Sequence, residues 1–365
     1  MILTVDEYNA LEREGKKGLS NRFLEAFQPE LFSNVGFPTR IEDDKEVYKF
    51  LDSMHDGRMQ WYYEDKNMQY SPTYEEFEII KEISGSIYQV SKDVYGRGVV
   101  VKAPMLCSMN LLRRLKYLGA NDLPTIFEIG GGTGILGAMM YRLGYRYIST
   151  DITQAFYITQ NNLWERLYPG CVEECTGDMD GLNEMEGKIL HIPYWKLWEL
   201  RNNDLEADII VSNHNLAEMH ERALRFYLQY AKQLMRNSEY KLFVAQSSGS
   251  TRFRNVDYLL STFDAMGFAL LYSERHFVVF ALKDKKQIMP VHMGDLMRKE
   301  SYQNAFPICG NPLDKTAEKI YLAERNMRDE QKVSLKEMEA YFRLLDEYVD
   351  SPDEEFIHYC GYSFI

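Results

Sequence analysis

Positive charge is in short supply in this chain of 365 residues: 42 Lys and Arg stand against 55 Asp and Glu, a formal net charge of −13. Binding a phosphate backbone needs a basic stripe, and no Lys/Arg cluster here exceeds a few residues. No nucleic-acid partner is expected, and small or neutral acceptors are favoured. Long apolar runs are also missing. Phe277-Val278-Val279-Phe280-Ala281-Leu282 is far shorter than the ~20 residues that cross a bilayer. The start, Met1-Ile2-Leu3-Thr4-Val5-Asp6-Glu7, lacks the basic and apolar regions of a signal peptide. The expectation is a cytoplasmic protein with no membrane span. Cysteines are sparse and odd in number: Cys107, Cys171, Cys175, Cys309 and Cys360 fit neither a disulfide framework nor paired zinc thiolates. They read as reduced thiols, and no metal is assigned to Cys171 and Cys175 despite a spacing that shares a helix face.

What is present supports a folded protein with a sizeable core, since 45% of residues are hydrophobic and 13% aromatic. The most informative segment is Glu128-Ile129-Gly130-Gly131-Gly132-Thr133-Gly134. It ends the apolar run Thr125-Ile126-Phe127 and opens a helix, Ile135-Leu136-Gly137-Ala138-Met139-Met140, that closes at Gly144. Alternating glycines at a strand-to-helix turn let backbone approach a ligand closely, because they carry no Cβ.

Two nucleotide frames fit this turn. Gly132-Thr133-Gly134-Ile135-Leu136-Gly137 satisfies the dinucleotide fingerprint, with an acidic residue about 20 positions on, as an NAD site requires. In that frame Glu128 has no task. In the frame E-x-G-x-G-x-G every marked residue is used: Gly130, Gly132 and Gly134 pass beneath a ligand, with Gly131 and Thr133 between them, and Glu128 faces a cationic or amino-bearing group. S-adenosyl-L-methionine carries both groups. Asp151, followed by Ile152, ends the second strand Tyr147-Ile148-Ser149-Thr150, where a carboxylate can accept hydrogen bonds from two ribose hydroxyls; it can also cap the helix beginning near Gln154.

Further strands follow. Helical periodicity from Gln154 to Tyr168 stops at Pro169-Gly170. For the third strand, Lys188-Ile189-Leu190-His191-Ile192-Pro193 is preferred to Cys171-Val172-Glu173-Glu174-Cys175 because it is more apolar, which makes 171–187 a polar excursion. Ile192 and Pro193 then sit at a strand tip, placed to flank an adenine ring or to fill core. Ala207 to Asn213 is the fourth strand, and Asn215 is expected to cap the next helix. Asn213 and His214 at that tip should face the transferable group, as ligands bind beyond the carboxyl ends of parallel strands. Tyr240 to Gln246 reads as the fifth strand, Val256 to Met266 as a helix, and Phe268–Tyr272 with His276–Leu282 as a hairpin. Such a hairpin supplies an antiparallel last strand that an all-parallel dinucleotide sheet lacks. The expected fold is α/β: a Rossmann-like, seven-stranded, mostly parallel sheet with helical additions at both ends.

Three regions are expected. Residues 1–120 form a mainly helical cap on the substrate side, rich in aromatics such as Trp61, Tyr62, Tyr63, Tyr70, Tyr74, Phe77 and Tyr88, which serve as core or stack on sugars. Residues 121–285 bind the cofactor. Residues 286–365 are a helical extension, where Ser334-Leu335-Lys336-Glu337 forms a capping box opening an amphipathic helix for packing or homodimerisation.

The stretch 120–285 resembles a class I S-adenosylmethionine-dependent methyltransferase. With His191-Ile192-Pro193, Asn213-x-x-Leu216-x-Glu218-Met219 and the aromatic N-terminal segment, the chain is similar to the sugar O-methyltransferases of bacterial surface-glycan and natural-product pathways. The resemblance implies a hydroxyl acceptor on a sugar or glycan. At the fourth strand tip Asn213-His214-Asn215-Leu216 replaces the Asn/Asp-Pro-Pro-aromatic motif of amino-methyltransferases acting on DNA bases.

Transfer to a hydroxyl needs a base. His214 is the first candidate, with His220 and Glu218 as alternatives on the following turn, although Glu218 can close a capping box with Asn215. His214, Glu218 and His220 on one helix face offer too few ligands for a metal. Arg252 and Arg254, in the loop Ser247 to Arg254, are candidates for a substrate phosphate or carboxylate. Three alternatives stay open: an NAD-dependent oxidoreductase using Gly132-x-Gly134-x-x-Gly137, a methyltransferase for another small natural-product acceptor at O or N, and an inactive interaction module.

Overall fold

The computed structural model describes residues 1–28, 39–46, 72–96, 98–119, 123–177, 179–185, 187–216, 218–246, 256–274 and 277–283, with 337–338 and 340–342 near the C-terminus. Its centre is one eight-stranded sheet in the order β3-β4-β2-β1-β5-β6-β8-β7. The strands are β1 (Ile126–Ile129), β2 (Tyr147–Asp151), β3 (Val172–Glu174), β4 (Ile189–Pro193), β5 (Ile209–Asn213), β6 (Leu242–Gln246), β7 (Phe268–Glu274) and β8 (Phe277–Leu282). All contacts from β3 across to β6 are parallel, and β8 is antiparallel to both β6 and β7. Strands buried on both faces read as continuous apolar runs, and β1, β2, β4 and β6 are buried at every residue.

The sheet has eight strands where seven were expected. Both candidates for the third strand are strands: Val172–Glu174 lies at the open edge, paired Val172↔Ile189 and Glu174↔His191. A three-residue edge strand with two charged members carries almost no apolar signal of its own.

The helices are α1 (Val5–Gly15), α2 (Asn21–Ala26), α3 (Tyr74–Tyr95), α4 (Lys102–Gly119), α5 (Ile135–Arg142), α6 (Gln154–Leu167), α7 (Leu197–Leu200), α8 (Glu221–Leu234) and α9 (Val256–Ala265). The crossovers α5 and α6 bury Met139, Met140, Ile158 and Trp164 against the sheet. The chain runs from β1 to β2, out to β3 at the edge, back to β4 between β3 and β2, and then to β5 on the other side of β1. That reversal opens a crevice beyond the carboxyl ends of β1 and β5.

On the β2/β4 side, α1 lies against α6: Leu3 donates to Asn161 Oδ1 at 2.7 Å, Gln154 Nε2 donates to Asn9 at 2.7 Å, and the Tyr194 hydroxyl donates to Glu12 at 2.8 Å. Tyr8 packs its ring on Tyr157 and Trp195. Helix α3 lies against α5 and α6, with Glu82 accepting from Arg142, whereas α4 lies against α5 and reaches Gln246 of β6; the two are joined by a buried ion pair, Arg113 to Glu76, at 2.7 Å. Removing one member of such a pair strands a buried charge and costs about 3–5 kcal/mol. Of the aromatic segment, Trp61, Tyr62, Tyr63 and Tyr70 lie outside the described residues, whereas Tyr88 is core and Tyr74 is exposed. Near the C-terminus, Met338 and Phe342 are buried and the Tyr341 hydroxyl donates to Lys81 O of α3 at 3.1 Å. No helix among the described residues is long and apolar enough to cross a membrane.

Candidate active site

The turn after β1 is built from backbone in the left-handed region, with φ of 70° at Gly130, 56° at Gly132 and 78° at Gly134. L-residues with a Cβ pay about 1–2 kcal/mol for that conformation. Gly130 N–H donates to Thr150 O of β2 at 2.7 Å, the Gln160 side chain donates to Gly132 O at 3.0 Å, and the Trp164 indole donates to Gly134 O at 2.7 Å. The turn is therefore fixed by α6 as well as by the sheet. Two glycines serve opposite ends. A Cβ on Gly137 would meet Trp164 and Tyr147 at 2.6 Å, so that residue closes the helix on the sheet. A Cβ on Gly132 would meet nothing nearer than Phe156 at 4.0 Å. Protein packing does not demand a glycine at Gly132; its φ does. Thr133 between them is buried.

Glu128 lies under this turn. It is 1% exposed and accepts a short hydrogen bond from the Tyr147 hydroxyl. Burial pushes its carboxyl up to about 8, against the opposing effect of the Tyr147 donor. The residue read as facing a cationic group is thus a covered, largely protonated acid joining β1 to β2.

Asp151, 3% exposed, occupies the tip of β2 opposite Pro193 of β4. Its Oδ2 accepts from Gly132 N–H at 3.2 Å and from Gln160 Nε2 at 3.1 Å, and its Oδ1 accepts from Thr153 N–H at 2.9 Å. Asp151 does not cap α6, whose N-cap is Thr153 with no side-chain cap hydrogen bond; its carboxylate holds the Thr153 N–H just ahead of the helix and also reaches the open glycine of the turn. Burial raises its pKa to about 6, the backbone donors of Thr153 and Gly132 pulling it down. Ile152, Ile192 and Pro193 are all buried around this tip.

Across the crevice, Asn213 ends β5 and His214 follows with φ 63°, one of two non-glycine residues with positive φ among those described. His214 N–H donates to Gln246 O at 3.0 Å, which holds the strained residue to the tip of β6. Asn215 does not cap the next helix. Its side-chain amide turns back to donate to Ile129 O of β1, and its Oδ1 accepts from the Ser212 hydroxyl. Helix α8 begins later, at Glu221, with His220 Nδ1 accepting Arg222 N–H at 3.1 Å as its cap. Glu218 stands in the intervening turn, its N–H donating to Asn215 O at 3.0 Å. The three candidate bases are thereby separated in kind: His214 is at the strand tip, Glu218 in a turn, and His220 at a helix start.

Arg252 and Arg254 lie outside the described residues. Burial pushes the thiols of Cys171 and Cys175 up to about 12, so neither offers a thiolate. Among the described residues no group of three His, Cys, Asp or Glu side chains is placed to hold a metal. Sequence reasoning missed Gln160, Asn110 and Gln246. Gln160 carries the Asp151 contact, while Asn110 and Gln246 join α4 to β6 at 3.3 Å, and pairings across such separations have no local signature.

No family model matches the chain, and no curated protein matches it. Among solved structures it is similar to the 1,6-didemethyltoxoflavin-N1-methyltransferase of Burkholderia thailandensis, at 16% identity over 57% of this chain and 89% of that one, with TM-score 0.35. A SAM-dependent methyltransferase from Aquifex aeolicus aligns at 11% identity over 55% of this chain and 97% of that one, with TM-score 0.34. The magnesium protoporphyrin IX methyltransferase of Synechocystis PCC 6803 aligns at 11% identity over 56% and 94%, with TM-score 0.31. Scores of this size do not assign a fold, which rests here on strand order and direction.

Proposed function

We propose that the chain is an S-adenosyl-L-methionine-dependent methyltransferase acting on a hydroxyl of a small sugar or glycan-type acceptor. One observation carries the reading: the glycine turn opens at Gly132, and its N–H is joined to the Asp151 carboxylate on the neighbouring strand tip. An adenosyl group needs that pair, a close backbone approach beside a buried acceptor for ribose hydroxyls. The antiparallel β8 between β6 and β7 supports the same reading over an all-parallel dinucleotide sheet.

The residues present fit the cofactor. Gly132 leaves space for it, Asp151 would accept from its ribose, and Ile152 and Pro193 would give the adenine side apolar walls, with the fully covered Ile192 as core behind them. When bound, S-adenosyl-L-methionine supplies an electrophilic methyl carried on sulfur. The protein's part is to align the acceptor, exclude water and remove the hydroxyl proton. His214 takes that proton on its ring nitrogen, since it stands at the strand tip where the crevice opens. Glu218 and His220 remain the alternatives, the latter already engaged as a helix cap through Nδ1.

Incubation with labelled S-adenosylmethionine and a panel of nucleotide-linked sugars and glycan termini, followed by product mass, tests this reading. A mass gain of one methylene equivalent on a hydroxyl supports it, and transfer only to amines counts against it.

A further inference from the structure

Three carboxamides meet at the tips of β5 and β6. Gln246 ends β6 and is 4% exposed; its Oε1 accepts from Asn110 Nδ2 of α4 at 3.3 Å, and its Nε2 donates to Cys107 O at 3.2 Å and to Asn213 Oδ1 at 3.5 Å. Its backbone oxygen also holds His214. Gln246 is thus a positioning residue whose amide is spent inside the protein, while Asn110 and Asn213 are half-buried. Asn110 keeps its carbonyl oxygen, and Asn213 its amide hydrogens, without a partner among the described residues.

We propose that Asn110 and Asn213, set by Gln246, form the subsite that binds the acceptor through neutral hydroxyl groups. The inference rests on the methyltransferase reading and names the residues and the charge class of its substrate. A carbonyl acceptor beside amide donors matches a hydroxyl, which both donates and accepts. The three amides carry no charge, and an anion brought into a half-buried amide site loses hydration without gaining a counter-charge. The cations nearest along α4 are committed elsewhere: Arg113 pairs with Glu76, and Arg114, 4% exposed, lies on the Phe277 ring at 4.0 Å. The subsite is on the β5/β6 side of the crevice, next to His214 and across β1 from Asp151.

Saturation-transfer NMR on the full chain saturated with S-adenosylhomocysteine tests it. The probes are methyl α-D-glucopyranoside, methyl α-D-mannopyranoside and methyl α-L-rhamnopyranoside, with glucose 6-phosphate as the anionic comparison. At least one neutral glycoside should bind in preference to the phosphate, and Asn110→Ala should weaken it by about fivefold or more, the loss of one hydrogen bond. The S-adenosylhomocysteine affinity of Asn110→Ala should match that of the unaltered protein, while its melting temperature falls because Gln246 Oε1 loses its donor. Intact cofactor binding with no glycoside bound, with the phosphate preferred, or with Asn110→Ala indistinguishable, overturns the subsite alone. Failure of S-adenosylhomocysteine to bind overturns the methyltransferase reading and the subsite with it.

Discussion

The Asp151 carboxylate accepts the N–H of Gly132 at 3.2 Å, so the tip of β2 and the middle of the glycine turn are one unit. The same carboxylate also serves Thr153 and Gln160. Asp151→Ala leaves these donors unsatisfied in a buried place, at about 1–3 kcal/mol for each lost partner. Chemical denaturation should show a loss of roughly 3 kcal/mol or more. Because Asp151 titrates at about 6, its ionised form is lost as pH falls through that value. S-adenosylmethionine affinity should therefore weaken below pH about 6, and Asp151→Asn should flatten that dependence in calorimetric titrations.

Gly132 and Gly137 make contrasting predictions. Gly132→Ala adds a methyl into open space at a φ of 56°, so the protein should fold with a loss of about 1–2 kcal/mol. Its cofactor binding should nevertheless collapse. Gly137→Ala presses a Cβ to 2.6 Å from Trp164 and Tyr147 and should cost about 3 kcal/mol or more. Melting curves and binding titrations on the two variants separate the effects; cofactor affinity retained by Gly132→Ala would contradict the assignment.

His214 carries a left-handed backbone and the proposed base together. Gly and Asn adopt that conformation more readily. His214→Gly and His214→Asn should match or exceed the stability of the unaltered protein while losing about 100-fold or more in turnover. Unchanged turnover in both would remove His214 as the base.

Glu128 should leave a signature in stability against pH. Its folded-state pKa, about 8, lies above the ordinary value of 4.5. Its contribution is therefore fully present below about pH 4.5 and is lost as pH rises through about 8. Relative to Glu128→Gln, the unaltered protein should become progressively less stable between pH 5 and 9. A constant difference in melting temperature between the two over that range would contradict a buried, protonated Glu128.

The parts of this fold that were legible in the sequence are those with local causes. The glycine turn, Asp151 at a strand tip and the β7/β8 hairpin are each marked by contiguous residues. Val172–Glu174 escaped because an edge strand is defined by its partner Ile189, not by its own apolarity. Asn215 misled for a related reason: its amide has a better use on Ile129 O of β1 than on the next helix, leaving the cap to His220. Such choices are made by the sheet as a whole, where β5 comes to lie beside β1.

The central claim is that the Gly132–Asp151 unit receives an adenosyl sulfonium cofactor, and isothermal titration of the full chain with S-adenosylmethionine, S-adenosylhomocysteine and NAD measures it directly. The account predicts one site per chain for both adenosyl ligands, lost in Asp151→Ala, and no binding of NAD. Binding of NAD in place of the adenosyl ligands, or adenosyl binding that survives Asp151→Ala undiminished, would contradict it.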